Sequence, residues 1–305
     1  MKLATFSDDE GLRIGRVDGD RVLDLAKAAP DLPRSMMALL GLGPQAMARV
    51  AALPTAEDAV SLDRVRLHAP IPQPPKFLAI GLNFHSHVAE AKDVMAPAQA
   101  QVWFNKQVTC VSGPRDPILL PAASSRLDYE GELGFVIGSE CHKVGPDEAR
   151  AAIAGYVVVN DVSVRDWQIA SPTMTLGKSY PSHGPFGPWL TTADAVADPQ
   201  NLRIRTWVNG ELRQDASTRD MVHSCIEQVV HLSERCRLLP GDVIATGTPA
   251  GVGALMDPRR FLVAGDIVRV EVEGLGCLEQ RVVAEPAATL RSAGDPERGR
   301  SSSHG

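Results

Sequence analysis

The chain has no uninterrupted apolar run approaching the ~20 residues that cross a bilayer as a helix, and its opening, Met1 to Glu10, has no apolar signal-peptide core. It is therefore expected in the cytoplasm, with no membrane partner. A long basic run is also missing and the net charge is −6, which argues against nucleic acid or anionic lipid as the main partner. Cysteines are few: Cys110, Cys141, Cys225, Cys236 and Cys277 are scattered, odd in number, and without zinc-ligand or redox spacing. That pattern excludes a disulfide framework and a thiolate metal site. What is present is ordinary for a soluble globular chain, with 44% hydrophobic and 22% charged residues over 305 positions.

One stretch stands apart, Leu127-Asp128-Tyr129-Glu130-Gly131-Glu132-Leu133-Gly134-Phe135-Val136-Ile137. At period two its odd positions are mostly apolar and its even positions begin with three carboxylates, so it reads as a strand with one core face and one acidic face. Carboxylates held at i and i+2 beside a hydrophobic face repel each other. Either one is protonated, or both sit against a cation, or the strand edge is solvated. Downstream, Gly155 to Val159 reads as a buried strand ending at Asp161, where a charge needs a partner. Three carboxylates, Glu130, Glu132 and Asp161, with no thiol or histidine in the pattern, suit Mg²⁺ or Mn²⁺, with Ca²⁺ as a further option, and not zinc.

The rest of the chain divides by composition. Residues 1–70 give short strands, an Asp18-Gly19-Asp20 turn and a helix near Ser35 to Leu53, and read as a small N-terminal accessory domain. A connector with Pro70, Pro72, Pro74 and Pro75 opens the main domain, 71–284. Within it, His87 and Glu90 lie three apart on a helical turn and share a face. That spacing suits a carboxylate-oriented general base or an exposed ion pair. Lys178, between Gly177 and Ser179, can reach an anionic ligand or face solvent. Arg203 to Gln214 contains an Asn209-Gly210 hairpin turn, and Met221 to Leu232 reads as an amphipathic helix. The glycine-rich run from Thr246 to Gly253 fits neither the P-loop nor the dinucleotide fingerprint, although its exposed amides can bind a carboxylate. Residues 285–305, rich in Ser, Arg, Gly and Pro, are expected to be disordered.

Together these pieces resemble the fumarylacetoacetate hydrolase family from about Lys76 to Val283. The resemblance rests on motifs in fixed order: Gly81-Leu82-Asn83-Phe84 with His87 and Glu90, Asp128 to Leu133, Asn160 to Gln168, Gly177-Lys178-Ser179, Gly187-Pro188-Trp189, and Gly241 to Gly253. Each is weak alone, and the ordered set is specific. Its bacterial-type acylpyruvate hydrolases and 2-hydroxyhepta-2,4-diene-1,7-dioate isomerases are the most similar group. The resemblance implies a β-rich α+β fold with a rolled mixed sheet, a small N-terminal domain and a homodimer, acting in the catabolism of aromatic compounds. It also implies that Glu130, Glu132 and Asp161 hold the metal, that His87 and Glu90 form the catalytic dyad together with Lys178, and that Gln168, Thr248 and Arg165 line the substrate pocket.

One departure concerns the segment after the lysine–serine pair, where the family commonly has Phe-Asp and this chain has Tyr180-Pro181-Ser182-His183. His183 is therefore a candidate substrate contact. The implied reaction is hydrolytic cleavage of a carbon–carbon bond in an acylpyruvate-like 2,4-dioxo acid. Oxaloacetate decarboxylation, or isomerisation of a 2-oxo-diacid on the same site, is the alternative. Residues between Ala91 and Gln101 are expected to set the accepted chain length.

Overall fold

All seven residues of the Gly131–Ile137 strand are buried in the computed structural model, which describes residues 1–54, 59–92 and 100–286. The strand is therefore covered on both faces, and the expected acidic face is not a surface. Leu133, Phe135 and Ile137 pack with Val268, Val270 and Leu278. Val136 belongs to a second core with Leu39, Val50 and Phe186. Each large side chain buried this way contributes about 1.5–3 kcal/mol, enough together to hold a charged strand start inside the protein.

The strand is also interrupted. Leu127–Asp128 pairs with Ser163–Val164, whereas Gly131–Ile137 pairs antiparallel with Ile153–Asn160 and with Val243–Ala245. At the break the Glu130 amide donates to Asn160 Oδ1 at 3.1 Å, and the Asp161 amide donates to the Glu130 carbonyl at 2.8 Å. A side-chain acceptor here replaces a ladder bond, which hydrophobic alternation cannot signal. At Gly131 an added Cβ would fall 2.1 Å from Thr206 Oγ1, so only glycine lets the backbone pass this close to its neighbour.

Among the described residues the strands form a 12-stranded sheet, a five-stranded sheet and a two-stranded pair. The large sheet runs from Val60–Ser61 through Arg21–Asp24, Gly11–Asp18, Lys2–Asp8, Gly184–Thr192, Ile153–Asn160, Gly131–Ile137, Val243–Ala245 and Phe77–Gly81 to Val102–Lys106. The five-stranded sheet, ordered Glu211–Ser217, Arg203–Val208, Ile267–Val272, Gly276–Ala284 and Ile118–Leu120, closes the first core. Most pairs are antiparallel, but Val243–Ala245 runs parallel to Phe77–Gly81, and Gly276–Ala284 runs parallel to Ile118–Leu120. The β-rich α+β class with a mixed sheet is as expected.

Lys2 and Leu3 pair with Thr191 and Leu190, so the N-terminal strands continue the central sheet instead of forming one of their own. The helix expected near Ser35 to Leu53 is two helices, Met36–Gly41 and Pro44–Ala52, divided at Gly43 with φ +76°. Proline at the first position of the second helix fits its start. The helix expected from Met221 begins at Cys225, capped reciprocally by Ser224 and Glu227. The Arg203–Val208 hairpin has the expected turn, with Asn209 and Gly210 both at positive φ. No helix among the described residues is long and apolar enough to cross a membrane. Most of the expected tail and of the 91–101 loop lie outside the described residues.

Candidate metal centre and active-site cavity

The register of the central sheet assembles the carboxylates. Gly131 pairs with Asn160, which sets Glu130 and Glu132, flanking Gly131, beside Asp161 at the end of the next strand. Oxygens of Glu130, Glu132 and Asp161 lie within 4.8 Å of one another, and all three residues are buried. Among the described residues no other such group is present. Cations balance two of them. Lys178 Nζ donates to Glu130 at 2.7 Å and to Asp161 at 2.8 Å, and Arg165 donates to Glu130 at 2.6 Å. Lys106 Nζ donates to Asp161 at 2.5 Å and also to the Lys178 carbonyl.

Glu132 is different, since its carboxylate accepts from the Gly247 amide at 2.8 Å and, among the described residues, has no hydrogen bond or ion pair with a cationic side chain. Burial, then Asp161 and Glu130, push its pKa well above the ordinary carboxylate range. Burial acts on Glu130 in the same direction, but Lys178 and Arg165 outweigh it and bring that carboxyl down to about 2. Burial opposes charge on Lys178 too, and Asp161 and Glu130 overcome it, so its ammonium is held charged. One of the three carboxylates thus needs either a proton or an additional cation. The donors are all hard oxygens, which suits Mg²⁺, Mn²⁺ or Ca²⁺ and not a thiolate-preferring ion.

The glycine-rich loop supplies the expected amides, and it supplies them to the protein's own carboxylates. Gly247 binds Glu132, Gly251 binds Glu90 at 2.9 Å, and Gly253 binds Asp128 at 2.9 Å. Asp128 also accepts from Arg165 Nε at 2.8 Å and so holds the guanidinium that faces Glu130.

A cavity of about 540 Å³ opens over this cluster, and His87, Glu130, Arg165, Gln168, Lys178 and Thr248 all line it. His87 Nδ1 lies 3.1 Å from Glu90 Oε2, and Glu90 is itself fixed by Gly251. If Nδ1 carries the proton toward Glu90, Nε2 is left as the acceptor. Gln168 Oε1 accepts from Arg165 at 3.0 Å. The Thr248 hydroxyl is already engaged, donating to the Gly131 carbonyl at 3.0 Å and accepting from Gln214 at 2.8 Å. Glu132 and Asp161 are not on the cavity wall.

His183 is a correction, because it is fully buried and absent from the cavity wall. Its Nε2 sits 2.8 Å from the Leu119 carbonyl, and its ring packs on Tyr180 at a centroid distance of 5.2 Å. Burial lowers its pKa to about 3 and keeps the ring neutral. Sequence reasoning also passed over Lys106 and Asp128 as parts of the charge network. Lys106 could have been noticed, because Val102, Phe104 and Lys106 alternate on one side of their strand and Phe104 is apolar.

The family profile described as "Fumarylacetoacetate (FAA) hydrolase C-terminal" matches residues 76–283. A mitochondrial oxaloacetate tautomerase of Xenopus laevis is 39% identical over 290 residues, covering 93% of this chain and 90% of that protein. The fumarylacetoacetate hydrolase of psychrophilic Exiguobacterium antarcticum superposes with a TM-score of 0.82 at 36% identity, over 93% of this chain and all of that one. The maleylpyruvate hydrolase of Sphingobium sp. SYK-6, solved with manganese(II) and pyruvate, gives a TM-score of 0.75 at 33% identity, over 94% of this chain and 100% of that one. With the profile spanning more than half its length and these likenesses extending beyond it, the chain belongs to the fumarylacetoacetate hydrolase family.

Proposed function

We propose that this protein is a divalent-metal-dependent hydrolase that cleaves a carbon–carbon bond of an acylpyruvate-like 2,4-dioxo acid. The observation that carries the proposal is the His87–Glu90 pair, whose imidazole shares a cavity wall with Glu130, one of three buried carboxylates grouped within 4.8 Å. Glu130, Glu132 and Asp161 are the residues that would hold Mg²⁺ or Mn²⁺. Such an ion, when bound, supplies Lewis acidity and a template for the oxygens of a 2-oxo acid.

The chain's own residues do the rest. Glu90 fixes the His87 tautomer so that Nε2 accepts a proton from water, and the resulting hydroxide adds to the distal carbonyl. The bond between that carbonyl carbon and its neighbour breaks, and its electron pair leaves with the three-carbon fragment as an enolate. The Lys178 ammonium, charged and on the cavity wall, lies where it can offset the developing negative charge. Protonation of the enolate carbon gives pyruvate, and the acyl fragment leaves as a carboxylic acid. The same reading carries a cytoplasmic homodimer working in the breakdown of aromatic compounds.

A second reading is enolate chemistry on oxaloacetate, either tautomerisation by proton transfer or decarboxylation with loss of CO2, and the relative named as an oxaloacetate tautomerase favours the first of these. Pyruvate release distinguishes the two. Chelator-treated protein should release pyruvate from a short acylpyruvate only when Mg²⁺ or Mn²⁺ is restored, and faster than from oxaloacetate. No release from any acylpyruvate, with metal-dependent loss of the oxaloacetate enol signal, would replace the first reading by the second.

A further inference from the structure

The charges on the cavity wall do not balance. Four cationic side chains line the cavity, Arg126, Arg165, Lys178 and Arg259, against the single carboxylate of Glu130. Arg165 and Lys178 are both bound to Glu130. Arg126 and Arg259 are exposed, and among the described residues neither guanidinium has a hydrogen bond or an ion pair. Arg260, the next residue, shows the contrast by donating to Glu211 at 2.6 and 2.9 Å. In a chain with a net charge of −6, two uncommitted guanidinium groups at one cavity are a local reversal of sign.

Their backbones are fixed relative to each other and to the site. The Leu262 amide donates to the Leu127 carbonyl at 2.8 Å, joining the segments that carry Arg259 and Arg126, and the Arg126 carbonyl accepts from the Arg165 amide at 3.0 Å. Ile169, Leu255 and Phe261 add apolar wall to the same cavity.

We propose that Arg126 and Arg259 form a second anion subsite, which binds a carboxylate at the end of the substrate remote from its 2-oxo acid group. The preferred substrate is then a diacid with a hydrocarbon middle, the two arginines serving as specificity-determining residues. Guanidinium groups suit this role because they present paired donors to a carboxylate and stay charged at every working pH. The inference rests on the proposed 2-oxo acid reading only for the identity of the near end.

The test uses binding rather than turnover. Mn²⁺-supplied protein is titrated calorimetrically with 2-oxoadipate, with 2-oxohexanoate, which has a methyl in place of the far carboxylate, and with adipate, which lacks the 2-oxo group. 2-Oxoadipate should bind about tenfold or more tightly than 2-oxohexanoate, the gain expected for one charge-assisted contact. In the Arg126→Gln/Arg259→Gln double variant, checked for folding by circular dichroism, that ratio should collapse to within about twofold. Equal binding of the two 2-oxo acids to the unaltered protein, or a preference that survives in the double variant, overturns the subsite and leaves the 2-oxo acid reading intact. Arginine-dependent binding of adipate as tight as that of 2-oxoadipate keeps the subsite and overturns the reading of the near end. Binding of none of the three overturns both.

Discussion

Replacing Glu132 by Gln should make the metal-free protein more stable and at the same time abolish its stabilisation by metal. Without a cation, Glu132 is buried beside Asp161 and Glu130, and its folded-state pKa is raised above the ordinary 4.5. The folded protein then holds a proton that the unfolded chain releases, so its stability falls as pH rises above about 4.5. The amide of Gln has nearly the same shape, can still accept from the Gly247 amide, and carries no charge to repel its neighbours. The metal-free variant should therefore melt above the metal-free parent at pH 7.5. With Mn²⁺ at a hundred times its dissociation constant, the parent should gain about 2.7 kcal/mol. At about 2.1 cal/mol/K per residue over 305 residues this is a rise of about 4 °C. The variant should show almost none of that rise. Scanning calorimetry of both proteins, in chelator and in Mn²⁺, gives four melting temperatures, of which only the parent's should rise with Mn²⁺. If the two proteins gain equally from Mn²⁺, Glu132 is not a ligand; if the metal-free variant is the less stable of the pair, the repulsion argument is wrong.

Glu90→Gln should lower turnover about 10²–10³-fold while leaving the Mn²⁺ dissociation constant within about twofold, measured by calorimetric titration; parallel loss of metal would remove Glu90 from the dyad. Lys106→Met leaves Asp161 and the Lys178 carbonyl short of a buried donor and should cost about 3–5 kcal/mol in urea unfolding; a loss under 1 kcal/mol would mean the ammonium is not needed there. His183 is neutral when folded, with its pKa lowered from 6.5 to about 3, so it favours folding above pH 6.5 and that contribution is lost as pH falls toward 3. Between pH 7 and pH 5 the loss should be about 2 kcal/mol, and His183→Gln should remove that much of the pH dependence of stability; identical slopes for the two proteins would place the histidine in contact with water.

The site was legible in the sequence wherever its parts are local. Glu130 and Glu132 share a strand, and His87 and Glu90 share a helical turn, so spacing alone gives their common direction. Asp161 was legible because a charge at the mouth of an apolar strand is conspicuous. The charge partners were harder to see: Asp128 and Arg165 meet only through the pairing of Leu127–Asp128 with Ser163–Val164, and alternation marks Lys106 as inward-facing without naming Asp161 as its partner. His183 was misread for a related reason. Its sequence neighbours are polar or turn-forming, and its burial comes from Leu119 and from the Tyr180 ring folded over it. The break at Glu130 was invisible because it depends on one hydrogen bond from the Glu130 amide to the Asn160 side chain.

The pairing of Lys2–Asp8 with Gly184–Thr192 also bears on how the protein is made. A ribosome delivers the first strand long before the partner that flanks it in the central sheet. Gly11–Asp18, its hairpin neighbour, arrives at once, and Arg66–His68 soon covers Thr5–Ser7 on the other edge, but Lys2 and Leu3 must wait for Leu190 and Thr191 until most of the chain has emerged. An unpaired strand edge recruits other chains, and contacts of such long sequence separation form slowly. The interval before residue 192 is made is therefore when the open Lys2–Leu3 end of the ribbon exposes a nascent chain to aggregation, and slowing elongation within it should lower the soluble yield.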